Sequence, residues 1–204
     1  MAYTDFTVLE LRRQFGVGLR AEKLFAESVS IEPTEWLRQS IRMGLTVGIS
    51  NERARAERLA TPVLLELCAR TNCAFSVHSA AIPDAAKVSG GNNSFTCSLN
   101  RLQDFITPPV FLVMNISYRE TEEELLPLLQ QLIAARRLNE LAGCPTQPLY
   151  GCSTTGVEWR FLKYEGTEFI LDENRYYLAQ LPALLGALQA IVDATRVVAA
   201  ASPS

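Results

Sequence analysis

Three carboxylates have the spacing of a divalent-metal site. Asp104 is followed, after a long apolar stretch, by Glu120 and Glu122. This D…E-x-E order could bring hard oxygen ligands to one cation. However, both glutamates lie at the start of a predicted helix, where acidic residues stabilise the first turn through the helix dipole. Helix capping therefore accounts for these two glutamates without a metal.

The chain offers little for nucleophilic catalysis or zinc binding. Ser153, Thr154 and Thr155 carry consecutive hydroxyls, but no histidine lies near them in the sequence to act as a base. The single histidine, His78, and the five cysteines, which include no C-x-x-C pair, lack the spacing of a zinc site. An odd number of scattered cysteines predicts reduced, mostly buried thiols and a cytoplasmic location. We expect no metal and no cofactor from these residues.

Two arginine clusters could contact phosphates. Arg53, Arg55 and Arg58 lie at the start of one predicted helix, and Arg136 and Arg137 lie within another. Arginines on a binding surface neutralise phosphates and make affinity depend on salt, but a solvated helix face is the simpler explanation for each cluster. The net charge of −3 and the pI of about 5.3 argue against a dedicated nucleic-acid-binding protein.

The elements that must position these residues are centred on one apolar stretch, PVFLVMNIS at 109–117. It is apolar at nearly every position, which predicts a strand buried on both faces. A predicted helix at 121–141 follows it and leads to the strand at 147–152, which indicates a parallel pair with a right-handed crossover. The same patterns predict further strands at 74–79, 95–99, 157–163 and 168–171, and further helices at about 7–15, 34–47, 52–70 and 182–198.

Composition predicts one globular domain over residues 1–204. Of the 204 residues, 48% are hydrophobic and 20% charged, enough apolar side chains for a large core. We expect an α/β (α+β) fold with a mixed sheet of five or six strands flanked by helices, a helical N-terminal part at 1–50 and a frayed tail at 199–204. The apolar stretch 176–192 has helical spacing and contains Pro182, which predicts a core or interface helix rather than a membrane span.

Several runs occur together in an order that resembles a known family. They are IEPTEWL at 31–37, AE at 56–57 with PVLLEL at 62–67, AA at 134–135 with Asn139, the Tyr-Gly-x-x-Thr-Thr-Gly-x-x-Trp run at 150–159 with RFL at 160–162, and YY at 176–177 with LLG at 184–186. The chain resembles a family of uncharacterised bacterial proteins, common in cyanobacteria, that has the PD-(D/E)XK restriction-endonuclease-like fold. The run at 150–159 is the most specific part of this resemblance.

The resemblance implies a site in which an Asp on one strand and a Glu-x-Lys on the next hold one or two divalent metals. In this sequence Ser98 replaces the Asp, Met114 the Glu and Ile116 the Lys, and Pro127 stands where a helical Gln is expected. Only Glu57 matches a carboxylate that could face the site. The resemblance therefore implies the nuclease fold and argues against nuclease chemistry.

These observations predict a non-catalytic nuclease-like domain that acts as a scaffold or interaction protein, with a second copy or another protein as its partner. One alternative is a nucleic-acid-binding protein that keeps the nuclease groove and uses the arginine clusters. Another is a nuclease that takes Mg²⁺ at a migrated site built from Asp104, Glu120 and Glu122. No membrane association is expected.

Overall fold

The computed structural model describes residues 16–79, 94–99, 105–118, 125–144 and 148–201, with side chains as far as residue 196. The predicted first helix at 7–15 and the acidic residues Asp104, Glu120 and Glu122 lie outside the described residues. The stretch 83–93, whose proline, glycines and asparagines predict a loop, also lies outside them.

Eight strands and five α-helices are present in the described part of the chain. The strands are β1 (Gly18–Glu22), β2 (Ser76–Ser79), β3 (Ser94–Ser98), β4 (Val110–Ile116), β5 (Leu149–Thr154), β6 (Glu158–Glu165), β7 (Glu168–Asp172) and β8 (Tyr176–Tyr177). The helices are α1 (Glu35–Val47), α2 (Glu52–Arg55), α3 (Thr61–Arg70), α4 (Leu125–Leu141) and α5 (Leu181–Ala201). A π-helical turn (Ala56–Ala60) joins α2 to α3, and a 3₁₀ turn (Leu178–Gln180) precedes α5.

The strands form one mixed sheet in the order β1-β7-β6-β5-β4-β3-β2, and β8 pairs with β6. Strand β4 is parallel to β5 across helix α4, as predicted, and β6 and β7 form the predicted antiparallel pair. The mixed α/β class is confirmed, but the expected five or six strands were too few. Residues 18–22 form an edge strand parallel to β7, so the helical prediction for the N-terminal part is wrong there. This short segment has mostly exposed side chains, and its pairing with β7 rather than its own sequence pattern makes it a strand.

Helices cover both faces of the sheet and create two cores. On one face, α1, α3 and α5 pack over the side chains of Leu112, Met114 and Ile116, in a group that we call the first core. On the other face, α4 packs over Val110 and Val113 in the second core. Asn139 of α4 fixes that helix to the start of β4, because its side-chain amide exchanges two 2.8 Å hydrogen bonds with the Val110 backbone. The central strand is therefore buried on both faces, as its sequence predicts.

Pro62 lies within the long helical segment 52–70, where a proline predicts a kink or an internal restart of the helix. Proline cannot donate a backbone hydrogen bond and its ring crowds the carbonyl four residues earlier, and the helix widens into the π turn just before it. Across this turn Gly44 of α1 approaches the Arg58 carbonyl, since a Cβ at Gly44 would lie 2.7 Å from that oxygen. Only glycine permits this close contact between the two helical segments.

Helix α5 is the apolar element that was predicted to be a core or interface helix. By length and composition the stretch Leu178–Arg196 could cross a membrane, but 56% of its apolar window is buried inside the fold. A buried core helix passes the same test, and Leu184, Leu188 and Ile191 of α5 lie fully in the first core. The helix runs to Ala201, so it extends into the segment expected to be a frayed tail.

A buried carboxylate fixes the start of α1. Glu66 of α3 is 3% exposed and accepts hydrogen bonds from the Thr34 backbone N–H (3.0 Å), the Thr34 hydroxyl (2.6 Å) and Arg70 Nε (2.8 Å). Thr34 in turn caps α1 by accepting a bond from the Leu37 N–H. Burial alone would raise the pKa of Glu66, but the bonds from Thr34 and Arg70 outweigh it and lower that pKa.

Glu66→Gln should reduce the free energy of unfolding at neutral pH by about 2 kcal/mol, because charge-assisted bonds to Thr34 and Arg70 are lost. Since the folded-state pKa is below the unfolded value of 4.5, this stabilisation is present above pH 4.5 and is lost as pH falls further. Urea unfolding of both proteins along an acidic pH series measures the difference.

Glu140→Gln is the matched control, because Glu140 is half exposed and makes an (i, i+4) pair with Arg136. Exposed ion pairs of this kind contribute little to stability. The unfolding free energy of Glu140→Gln should therefore stay close to that of the wild type at every pH. If the difference in unfolding free energy between wild type and Glu66→Gln were as large below pH 4 as at neutral pH, the lowered pKa of Glu66 would be contradicted.

Candidate functional site

The positions implied by the nuclease resemblance do not come together. Met114 and Ile116 lie in the first core, 0% and 5% exposed. Ser98 pairs in the ladder with Val110, whose side chain lies in the second core, whereas Met114 pairs with Phe95. Ser98 is thus at the opposite end of the β3–β4 ladder from Met114, and its hydroxyl donates to the Thr107 carbonyl.

These residues do not fit a divalent metal. A buried thioether and a buried alkyl chain supply no hard oxygen ligand, and Ser98 is too far along the ladder to join them. Glu57 is more than half exposed and pairs with Arg53 at 2.8 Å on the outer side of the helical segment. In the described residues, no three His, Cys, Asp or Glu side chains are grouped as a metal site.

The first arginine cluster is largely engaged within the fold. Arg55 donates to the Thr155 carbonyl at 2.7 Å and its guanidinium lies 5.0 Å from the centre of the Tyr118 ring. Arg58 donates to the Gly48 carbonyl and so closes the turn after α1. Both arginines therefore hold loops against the helical segment, while Arg53 remains exposed beside Glu57.

The second arginine cluster lies on the other face of the sheet. Arg136 of α4 pairs with Glu140, donates to the Gly166 carbonyl, and stacks 4.9 Å from the centre of the Tyr164 ring. Arg137 is exposed. Because α4 and the α2–α3 segment cover opposite faces, the two clusters do not form one basic surface.

The most specific run of the resemblance, at 150–159, forms a tight turn rather than a reactive site. Gly156 has φ +80°, and the Thr154 hydroxyl accepts from its N–H at 2.9 Å while donating to the Glu158 carbonyl. The Trp159 indole N–H donates to the Gly156 carbonyl at 3.1 Å. The Thr154 and Thr155 hydroxyls are therefore used to close the β5–β6 hairpin.

A buried carboxylate also organises the turn after β7. Asp172 accepts hydrogen bonds from the Leu24 and Asn174 N–H groups and from the Tyr176 hydroxyl, at 3.1–3.3 Å. Burial and the neighbouring Asp172 raise the pKa of Tyr176 to about 12. The phenol therefore remains a hydrogen-bond donor at neutral pH, and this cluster ties β7 to the segment after β1.

The candidate site that the fold presents to solvent is a groove between α1 and the segment 57–65, which we call the α1–α3 groove. Its cavity of about 260 Å³ is lined by Ser40, Met43, Gly44 and Val47 of α1 and by Glu57, Arg58 and Pro62 opposite them. Large apolar side chains continue along it with high exposure: Trp36 at 50%, Met43 at 67%, Val47 at 68% and Leu65 at 50%. Grouped exposed apolar residues of this kind mark interaction surfaces.

This groove was missed because α1 has two apolar stripes. Helical spacing places Trp36, Leu37, Ile41 and Leu45 near one face of α1, but of these four only Leu37 and Ile41 are buried. Trp36, Met43 and Val47 recur at i, i+7 and i+11, so they form a second stripe beside the buried one. That spacing was visible in the sequence, but its exposure was not.

No family model matches this chain, and no curated protein or solved structure matches it significantly. The resemblance to PD-(D/E)XK proteins therefore stays a prediction that depends on the runs quoted above.

Met114→Glu should lower the free energy of unfolding by at least about 4 kcal/mol, because the new carboxylate is buried without a partner. Met114→Leu, which nearly conserves volume, should cost about 1 kcal/mol or less. Urea unfolding with and without Mn²⁺ measures both. A stable Met114→Glu protein that Mn²⁺ stabilises further would show that this position faces a metal site after all.

Gly156→Ala and Gly166→Ala separate backbone strain from crowding. Both glycines have positive φ, but a Cβ at Gly156 would lie 3.0 Å from Leu59 Cδ1, whereas nothing lies within 4 Å at Gly166. Strain should cost about 1 kcal/mol at each site, and crowding should add about 1 kcal/mol or more at Gly156. Equal losses of thermal stability in Gly156→Ala and Gly166→Ala would show that the β5–β6 turn does not pack tightly against the π turn.

Proposed function

We propose that this protein is a non-catalytic interaction domain that associates with a second copy of itself through the α1–α3 groove. The observation that carries the proposal is the row of large apolar side chains exposed along this groove. From Trp36 to Val47 the row extends over about 16 Å of helix. Burying such a row against another helix removes its apolar surface from water, which is the dominant favourable contribution to association.

The shape of α1 favours a second copy as the occupant. Trp36, Met43 and Val47 are large, whereas Ser40 and Gly44 leave a hollow between them. In an antiparallel twofold pairing centred on the helix, Met43 of one copy meets Ser40 of the other, and Trp36 meets Val47. A surface with both knobs and hollows is self-complementary, as an isologous interface requires. The net charge of −3 adds little repulsion between copies.

We further infer that the sheet is of the restriction-endonuclease-like class. The order α3–β2–β3–β4–α4–β5, with a helical crossover to a parallel neighbour of β4, agrees with the element order predicted from the sequence, and this agreement supports the inference. The burial of Met114 and Ile116 supports the non-catalytic part of the proposal, because side chains inside a packed core are not available to substrate or metal.

Sedimentation velocity over a wide concentration series tests the proposal. The wild-type protein should show a monomer–dimer equilibrium, and Met43→Glu should raise the dimer dissociation constant about thirtyfold or more, since it places a charge at the centre of the interface. Leu141→Glu is the matched control: Leu141 is 74% exposed at the end of α4 on the other face, and dimerisation should be unchanged.

A wild-type protein that remains monomeric at every concentration would overturn self-association through this groove. Equal weakening by Met43→Glu and Leu141→Glu would place the interface elsewhere. Circular dichroism and thermal unfolding should be near wild type for both variants, because both side chains are exposed in the fold.

A further inference from the structure

The C-terminus of α3 brings two cysteines together through backbone hydrogen bonds. The Asn72 N–H donates to the Ala69 carbonyl at 3.2 Å, and the Cys73 N–H donates to the Cys68 carbonyl at 2.8 Å. Asn72 has φ +54°, in the left-handed region. These features define a Schellman motif, in which the side chains at the positions of Cys68 and Cys73 commonly contact each other.

The hydrogen bond sets an upper limit on the separation of the two cysteines. Within Cys68 the Cα lies about 2.4 Å from its carbonyl oxygen, and within Cys73 the N–Cα bond is about 1.5 Å. With the 2.8 Å hydrogen bond between them, the two Cα atoms are at most about 6.7 Å apart. Disulfides join Cα atoms separated by about 4.4–6.8 Å, so the backbone hydrogen bond keeps the pair within the upper limit of this range.

The surroundings give the two thiols different access to solvent. Cys73 is exposed and Cys68 is half-buried, where its thiol donates weakly to the Phe75 carbonyl at 3.5 Å. Behind them Cys97 of β3 is fully buried, and burial together with the nearby Cys68 raises the pKa of the Cys97 thiol. Solvent oxidants therefore reach Cys73 first, with Cys68 next to it, while Cys97 is kept protonated and shielded.

We propose that Cys68 and Cys73 form a reversible dithiol–disulfide site that a hydroperoxide oxidises. The Cys73 thiolate attacks one peroxide oxygen, forms a sulfenic acid and releases the other oxygen as hydroxide or alkoxide. The Cys68 sulfur then attacks the Cys73 sulfur, the S–S bond forms, and the sulfenic oxygen leaves as water with the thiol proton. The two electrons lost by the sulfurs reduce the peroxide, and a small dithiol reverses the step by thiol–disulfide exchange.

The end of α4 provides an internal comparison with the same backbone motif, in which the cysteine is half-buried whereas Cys73 is exposed. Gly143 donates to Glu140 and Cys144 donates to Asn139, each at 3.0 Å, and Gly143 has φ +69°. Cys144 thus occupies the same position in a second Schellman motif, but the facing residue there is Asn139 instead of a cysteine. Hydroperoxide should therefore give a disulfide at Cys73 and only a sulfenic acid or its thiol adducts at Cys144.

The test is hydrogen peroxide treatment of the reduced, native full-length protein, followed by alkylation and non-reducing tryptic mass spectrometry. Cleavage after Arg70 separates the two cysteines, so the disulfide joins peptides 59–70 and 71–87 and lowers the intact mass by about 2 Da. Dithiothreitol should restore the reduced mass. Cys73→Ser and Cys68→Ser should each abolish this crosslinked pair, because each of the two peptides contains one cysteine, while Cys144→Ser should leave its yield unchanged.

Two outcomes would overturn the proposal. The first is a crosslink of peptide 59–70 to peptide 88–101, which contains Cys97, since Cys68 would then pair with the buried thiol. The second is sulfenic acid at Cys73 that persists, as at Cys144, without the 59–70 to 71–87 crosslink. Both readouts are independent of the oligomeric state, so they do not depend on the proposed dimer.

Discussion

Burial of strand β4 on both faces is the constraint from which the rest of the structure follows. An apolar strand of this kind must have a helical layer on each side, and α4 supplies one while α1, α3 and α5 supply the other. The crossover through α4 makes β5 parallel to β4, and Asn139 then clamps α4 to the start of the strand. The same burial places Met114 and Ile116 inside a packed core, where a metal ion cannot reach their side chains.

The runs that carry the resemblance to nuclease-like proteins are runs that hold this fold together. Thr34 and Glu66 fix the start of α1 to α3. Gly151 allows α4 to approach the sheet, since a Cβ there would lie 2.9 Å from Leu132 Cδ1. The turn around Gly156 closes the β5–β6 hairpin. The residues of these runs therefore serve packing and turns in this fold.

The two features for which we propose interactions lie outside this framework, on the helices of the first face. Because Pro62 widens the helical segment and Gly44 lets α1 pack closely against it, the outer stripe of α1 is left beside an open groove. The α3 C-terminus, with its two cysteines, belongs to the same layer. Self-association and thiol oxidation are thus both proposed for one helical layer on the surface of the fold.

The sequence alone determined the central strand, the parallel crossover and most helix and strand positions, because long apolar runs, capping residues and glycines act locally. It missed β1, since residues 18–22 become a strand only by pairing with β7. It also treated Ser98, Met114 and Ile116 as one constellation, whereas the β3–β4 register, which depends on tertiary pairing, separates Ser98 from the others. Likewise the types of Trp36, Met43, Cys68 and Cys73 were evident, but their exposure and proximity were decided only by how the helices pack and end.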